Sequence, residues 1–214
     1  MADLAEARVA QRPALIPNPV DVDFFSPGDV ARPKGGEWHL VSSGRLVGWK
    51  GFSNLIEALA RLRDEYHVNA RLTLAGDGPE RENLQAKIAE LGLAGQVTLC
   101  GLLDATALRH LLRAGDLYVL PSIGMEAFSI SALEGACAGL PLLLSDQVGL
   151  ATFLTGDDCM TYPAREVHAL AALLKEAHDR REDAAWTDRA ARNARMREQF
   201  APEKVARKIL DLIV

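Results

Sequence analysis

The chain has 214 residues, 49% apolar and 25% charged, with a formal net charge of -5. That balance fits a soluble globular chain with a sizeable core and excludes broad nucleic-acid binding, which needs a basic footprint. Apolar runs stay short of the roughly 20 residues of a membrane span, and Met1 to Glu6 lacks the basic start and apolar stretch of a signal peptide. Cys100, Cys137 and Cys159 fit neither a zinc motif nor a disulfide framework, so they read as buried thiols in a reducing, cytoplasmic setting.

The first strand is expected at His39 to Ser43, ending at Gly44. Leu55, Ile56, Leu59, Leu62 and Tyr66 follow at helical spacing. Arg71 to Ala75 reads as a second strand closed by Gly76-Asp77-Gly78-Pro79, and Pro79 is a suitable helix start for the face carrying Leu84, Ile88 and Leu91. Gln96 to Cys100 is the third strand, before a helix with Leu108, Leu111 and Leu112. Leu117 to Leu120 is a strand ended by Pro121, Ser129 to Ala138 suits a helix, and Leu140 to Leu144 is the next strand. Cys159 to Tyr162 is a candidate edge strand.

Strands alternating with helices imply right-handed crossovers and a mostly parallel sheet. The predicted fold is therefore α/β, a doubly wound Rossmann-like sheet flanked by helices. Its core covers residues 38–165, with its functional site at the carboxyl ends of the strands. Residues 1–37 are proline-rich and irregular, with one candidate strand at Ala14 to Ile16. Residues 166–214 read as two or three helices packing on the core. Within them Arg180, Arg181, Arg189, Arg192, Arg195 and Arg197 form a basic stretch, expected as a solvated face, with peripheral contact at the inner membrane face as the alternative.

The strand ends carry the candidate chemistry. Arg45 and Lys50 lie in a glycine-bearing loop, Gly44 to Gly51, that leads into a helix. Backbone N–H groups, the helix start and both cations can converge there on a diphosphate, or the cations can simply face solvent. After the fourth strand, Glu126 stands just before a helix and Glu134 about one turn inside it. Carboxylates bind sugar hydroxyls well through charge-assisted bonds, but Glu126 can equally serve only the helix dipole. Glu134 sits among neighbours that look buried, so a carboxylate there calls for a reason. Gly76 to Pro79 reads as a tight turn, with Asp77 a weaker ligand candidate. Ser122 and Ser129 lack a hydrolase elbow. The histidines have no metal-ligand spacing, so no metal is expected.

Taken in order, these segments resemble the C-terminal, donor-binding domain of the family 4 retaining glycosyltransferases, which have the GT-B fold. The matching pieces are Ile16-Pro17-Asn18-Pro19-Val20-Asp21, Gly44-Arg45-Leu46 with Lys50-Gly51, Gly76-Asp77-Gly78-Pro79-Glu80 and Val97 to Gly101. Leu120-Pro121-Ser122, Glu126 with Glu134, and Ala138-Gly139-Leu140-Pro141 complete the set. The resemblance covers nearly the whole chain. It implies a donor site of Gly44, Arg45, Lys50, Leu103, Glu126, Phe128, Ser129, Ile130 and Glu134, in which Arg45, Lys50 and Glu126 serve transfer. Arg45 and Lys50 would hold the diphosphate and stabilise the leaving nucleotide without a metal or other cofactor. Glu126 would bind hydroxyls of the transferred sugar, Glu134 the ribose, and the backbone of Phe128, Ser129 and Ile130 sugar and phosphate. Leu103 would meet the base through its main chain.

The chain departs from the family pattern at Ala127 and Ser129, where Glu-Gly-Phe-Gly is usual, at Pro19, and at Trp49, where an acidic residue is common. The resemblance also implies an N-terminal acceptor domain, and the single alternating sheet here leaves that domain absent from this chain. The partners implied are a nucleoside-diphosphate sugar, that acceptor domain, and a saccharide or lipid-linked acceptor. The isolated chain is then expected to bind donor without transferring sugar. The alternatives are a silent binding or scaffold subunit paired with a separate acceptor domain, and a nucleotide-sugar epimerase.

Overall fold

A computed structural model of the chain describes residues 14–28, 36–154 and 156–213, so most of the entrance segment, 1–13 and 29–35, lies outside the described residues. Six parallel strands form one sheet: β1 (Trp38–Ser43), β2 (Ala70–Ala75), β3 (Val97–Gly101), β4 (Leu117–Leu120), β5 (Leu142–Ser145) and β6 (Cys159–Tyr162). Their order is β3-β2-β1-β4-β5-β6. The chain thus winds outward from β1 in one direction and, from β4, in the other. The reversal lies between β1 and β4, paired at Leu40 with Leu117 and Val41 with Tyr118. An open α/β sheet offers its ligand crevice at such a point.

The helices are α1 (Phe52–Tyr66), α2 (Arg81–Glu90), α3 (Ala105–Ala114), α4 (Ile130–Cys137), α5 (Val167–Asp179), α6 (Ala184–Thr187), α7 (Arg189–Phe200) and α8 (Pro202–Ile213). Every residue of β1, β4 and β5 is buried, as expected for a sheet covered on both faces, while the edge strands β3 and β6 are only partly buried. Side-chain alternation divides the core in two. Leu40, Val119 and Leu143 pack with Leu55, Leu59 and Leu62 of α1 and Leu170 and Leu174 of α5. Val41, Tyr118, Leu120, Leu142 and Leu144 face Leu133 and Ala136 of α4 and Met196 and Phe200 of α7.

Several expectations change. Ala14 to Ile16 forms no strand, since nothing among the described residues pairs with it; the segment is instead pinned later, where the Val20 N–H donates to the Phe200 carbonyl at 3.1 Å. The helix after Pro79 begins two residues further on, since residues 79–80 form a turn. The C-terminal region holds four α-helices rather than two or three. Cys100 is exposed, because it lies on edge strand β3, whereas Cys137 is buried and Cys159 partly so.

The basic stretch is a solvated face only in part: Arg181 and Arg195 are exposed, whereas other arginines tie α7 to the loops and helices beside it. The Arg192 side chain is 0% exposed and donates to the carbonyls of Gly139 at 2.8 Å and of Asp157 and Trp186 at 3.0 Å. Its Nε lies 3.2 Å from the buried Asp158 carboxylate, which also accepts from Arg195 at 2.6 Å. Arg189 donates to the carbonyls of Arg113 and Gly115, Arg180 pairs with Asp157, and Arg197 pairs with Asp23 at 2.5 Å. The charge pattern could not reveal this use, because most of the carbonyls that receive these guanidinium groups are remote in sequence.

Breaking a buried charged network by removing one partner costs about 3–5 kcal/mol. Arg192→Ala is therefore expected to lower urea-unfolding stability by that order. Arg195→Ala, whose side chain is 46% exposed, should cost about 1 kcal/mol or less.

Candidate functional site

The loop after β1 is braced from below by the loop after β2. Gly44 N–H donates to Ala75 O and Leu46 N–H to Asp77 O, both at 2.9 Å, and Glu80 N–H returns to Leu46 O at 3.0 Å. The two backbones lie so close that a Cβ on Gly76 would fall 1.9 Å from the Gly44 carbonyl oxygen. Gly76-Asp77-Gly78-Pro79 is thus a scaffold for the first loop, with the Asp77 carboxylate turned back onto Gly78 N–H at 2.7 Å.

Above it, the loops after β1 and β4 meet across the reversal point. Gly51 is left-handed (φ 71°) at the start of α1, and a Cβ there would lie 2.0 Å from the Pro121 carbonyl oxygen. Ile123 N–H donates to Trp49 O at 2.8 Å. This contact sets Lys50 against Glu126: Nζ donates to Oε1 at 2.7 Å, with the side chains only 9% and 11% exposed. Oε2 accepts the Ser122 hydroxyl at 2.7 Å, and Ser145 Oγ donates to the Ser122 carbonyl. Glu126 is also held through its backbone, its N–H donating to Gln147 O at 2.9 Å and its carbonyl accepting from Gly149 N–H at 2.8 Å. Gly44 lies beside the ammonium, the position of a Cβ there being 3.7 Å from Lys50 Nζ, and its φ of 152° is one that favours glycine.

The sheet therefore brings Gly44, Lys50 and Glu126 together. Arg45 stands exposed in the same loop without a side-chain partner among the described residues. Phe128 is turned inward, stacking edge-on with Phe153 at 5.6 Å and near Phe200 at 6.1 Å, so its ring belongs to the core. Ser129 is the N-cap of α4, with its hydroxyl accepting from Ala132 N–H at 3.3 Å and its backbone extended (φ -129°). At that φ any residue is accommodated, and the side chain is spent on the cap. Ile130 is exposed, and Leu103 lies partly exposed beyond β3.

Glu134 has no hydrogen-bond or ion-pair partner among the described residues, and burial raises its carboxyl from 4.5 to about 7. Desolvation disfavours its charged form, and no cation offsets the cost. Among the described residues no cluster of three or more His, Cys, Asp or Glu is placed to hold a metal ion. His39 is a satisfied core histidine, with Nε2 at 2.9 Å from Thr73 Oγ1 and Nδ1 at 3.0 Å from Ala114 O. Sequence reasoning missed Ser122 as the partner of Glu126; the four-residue separation in a loop was the available signal. It had no signal for Ser145.

Residues 29–194 match the family described as glycosyl transferases group 1. The chain belongs to that family. It is 37% identical over 184 residues to a glycogen synthase of Mycobacterium tuberculosis, covering 86% of this chain and 43% of that enzyme. It is 32% identical to a lipopolysaccharide core biosynthesis glycosyltransferase of Rhizobium meliloti, over 81% of this chain and 48% of that protein. The chain thus spans under half the length of these curated relatives. Among solved structures, Anabaena HepE in complex with UDP superposes with a TM-score of 0.82 at 20% identity, over 98% of this chain and 59% of that one. The group 1 chain therefore has the Rossmann-like, six-stranded C-terminal half of a GT-B glycosyltransferase.

A raised carboxyl gives a pH test. Below about 4.5 Glu134 is protonated folded and unfolded alike; between about 4.5 and 7 the folded protein keeps a proton that the unfolded chain has lost, so its contribution to stability declines as pH rises through that window. Glu134→Gln, which cannot ionise, should gain thermal stability relative to the parent chain across those values. A difference in melting temperature that stays flat from pH 4 to pH 8 would count against it.

Proposed function

We propose that this domain binds the nucleoside-diphosphate sugar of a retaining glycosyltransferase that transfers a hexose to a saccharide or lipid-linked acceptor. The observation that carries this reading is the Lys50–Glu126 pair at the reversal point of the sheet. Each partner keeps capacity for ligand. Lys50 has three donors and uses one on Glu126, while the Glu126 carboxylate has accepted only Lys50 and Ser122 at its oxygens. A hexose diphosphate presents the matching groups, with anionic oxygens for the cation and hydroxyls for the carboxylate.

Arg45 and Lys50 then take the diphosphate and neutralise the leaving nucleotide in place of a metal. Glu126 accepts hydroxyls of the hexose. The first N–H groups of α4, near Phe128, Ser129 and Ile130, face sugar and phosphate, since a helix start attracts anions and its first N–H groups lack intrahelical partners. Glu134 receives the ribose hydroxyls; a protonated or ionised carboxyl with no internal partner has its bonds free for ligand. The main chain at Leu103 meets the base. Retention follows from attack on the face that the leaving group vacates, with the acceptor held by a second domain. The chain alone binds donor and does not transfer it. The UDP-bound relative and the glycogen and lipopolysaccharide enzymes support this assignment of substrate class.

Calorimetry with UDP, GDP and ADP tests the reading: one of them should bind, and silence with all three removes it. Arg45→Ala, at an exposed position, should weaken that binding by about 1–3 kcal/mol, while leaving thermal stability unchanged. Nucleotide release from a donor mixed with the isolated chain and a glucan should stay at the buffer level.

A further inference from the structure

Four of the exposed large apolar side chains among the described residues ring the strand ends: Trp49, Leu102, Met125 and Ile130. Trp49 stands apart from the others because its ring lies beside Lys50 of the ion pair. Its carbonyl accepts from the N–H groups of Ile123 at 2.8 Å and Gly124 at 3.2 Å, which ties the loop after β1 to the loop after β4. Gly124 leaves the space beside it open, since a Cβ there would come 3.2 Å from Trp49 Cβ. The indole is 46% exposed, and Lys50 Nζ lies 4.9 Å from its ring centroid. That ammonium in turn touches Glu126 at 2.7 Å. The ammonium thus neighbours both the ring and the carboxylate.

We infer that Trp49 is a stacking platform for a pyranose ring at the edge of the donor site. The inference rests on the donor-binding reading for its neighbours. An indole has only two side-chain torsions to fix and offers a large apolar face with an N–H at its margin. A pyranose presents the complement, an apolar face of C–H groups rimmed by hydroxyls. The Lys50 cation polarises the ring and the Glu126 carboxylate takes hydroxyls, so the apolar and polar faces of one sugar are met on the same loop pair. An acidic residue at 49 would supply no such face, so this chain selects its sugar through a contact that the usual family pattern lacks. The pyranose is either the hexose of the donor or the terminal unit of the acceptor; the chemistry is the same.

The tryptophans make the test selective. Trp38 and Trp186 are 4% and 3% exposed, so acrylamide quenching of the fluorescence reports chiefly on Trp49. Quenching is followed with UDP, GDP and ADP, with UDP-glucose, GDP-mannose and ADP-glucose, and with maltopentaose. A sugar ligand is expected to shield the quenchable fraction while the matching diphosphate alone leaves it open. Shielding by a nucleotide sugar identifies the donor hexose, and shielding by maltopentaose identifies the acceptor. Trp49→Ala should weaken the shielding ligand roughly threefold to tenfold and leave diphosphate affinity within about twofold, with Trp49→Tyr retaining most of the sugar affinity. Equal shielding by a diphosphate and its sugar conjugate, shielding by no sugar at all, or equal loss for both ligand types in Trp49→Ala overturns the platform. If no diphosphate binds the parent chain, the donor-binding reading fails instead, and the maltopentaose arm still decides the role of Trp49.

Discussion

A close approach of two backbones governs the strand-end face of this domain. Where the sheet changes winding direction, the start of α1 passes the Pro121 carbonyl so tightly that position 51 has no room for a side chain. That passage sets the depth at which Lys50 meets Glu126, and it does so without help from either charge. The ion pair is then a consequence of the crossing rather than its cause. This matters because a pair so little exposed gains only modestly over its desolvation penalty. Its geometry has to be imposed, and the backbone imposes it. Ser122 and Ser145 extend the same logic downward, each hydroxyl fixing the next group in line until the chain of bonds reaches the end of β5.

Much of this fold could be read from periodicity. Strands buried on both faces leave short continuous apolar runs, so β1, β2, β4 and the edge strand β6 were legible to within a residue or so, while β5 was expected two residues early because Leu140 and Pro141 prolong the apolar run. The same pattern gave α1, α3 and α4. What it could not supply was anything fixed by distant carbonyls. The arginines of α7 look like a solvated stripe in sequence, and only the folded chain reveals that Arg192 reaches three carbonyls. Likewise Ala14 to Ile16 has strand-like composition but no strand to bond among the described residues.

The site divided along a similar line. Gly44, Lys50 and Glu126 were readable because they sit at strand ends, where topology concentrates ligand chemistry whatever the details. That Lys50 and Glu126 touch was not readable, since 76 residues separate them. Ser129 is instructive in the opposite sense. It stands where the family pattern has glycine, yet the backbone there is ordinary and the side chain is turned to the helix cap. Phe128 similarly turns its ring to the aromatic cluster with Phe153 and Phe200.

The meeting of Gly51 with Pro121 also bears on how such domains can be recombined. Residues 44–51 and 121–129 belong to separate halves of the winding, so they look like independent modules for exchange between relatives. They are not, because each loop is the steric boundary of the other and they share the Trp49 carbonyl as a tether. A chimera that imports one loop without its counterpart inherits a mismatched seam, whereas importing both transfers an intact unit. For anyone exchanging loops on this scaffold, the two travel as one block.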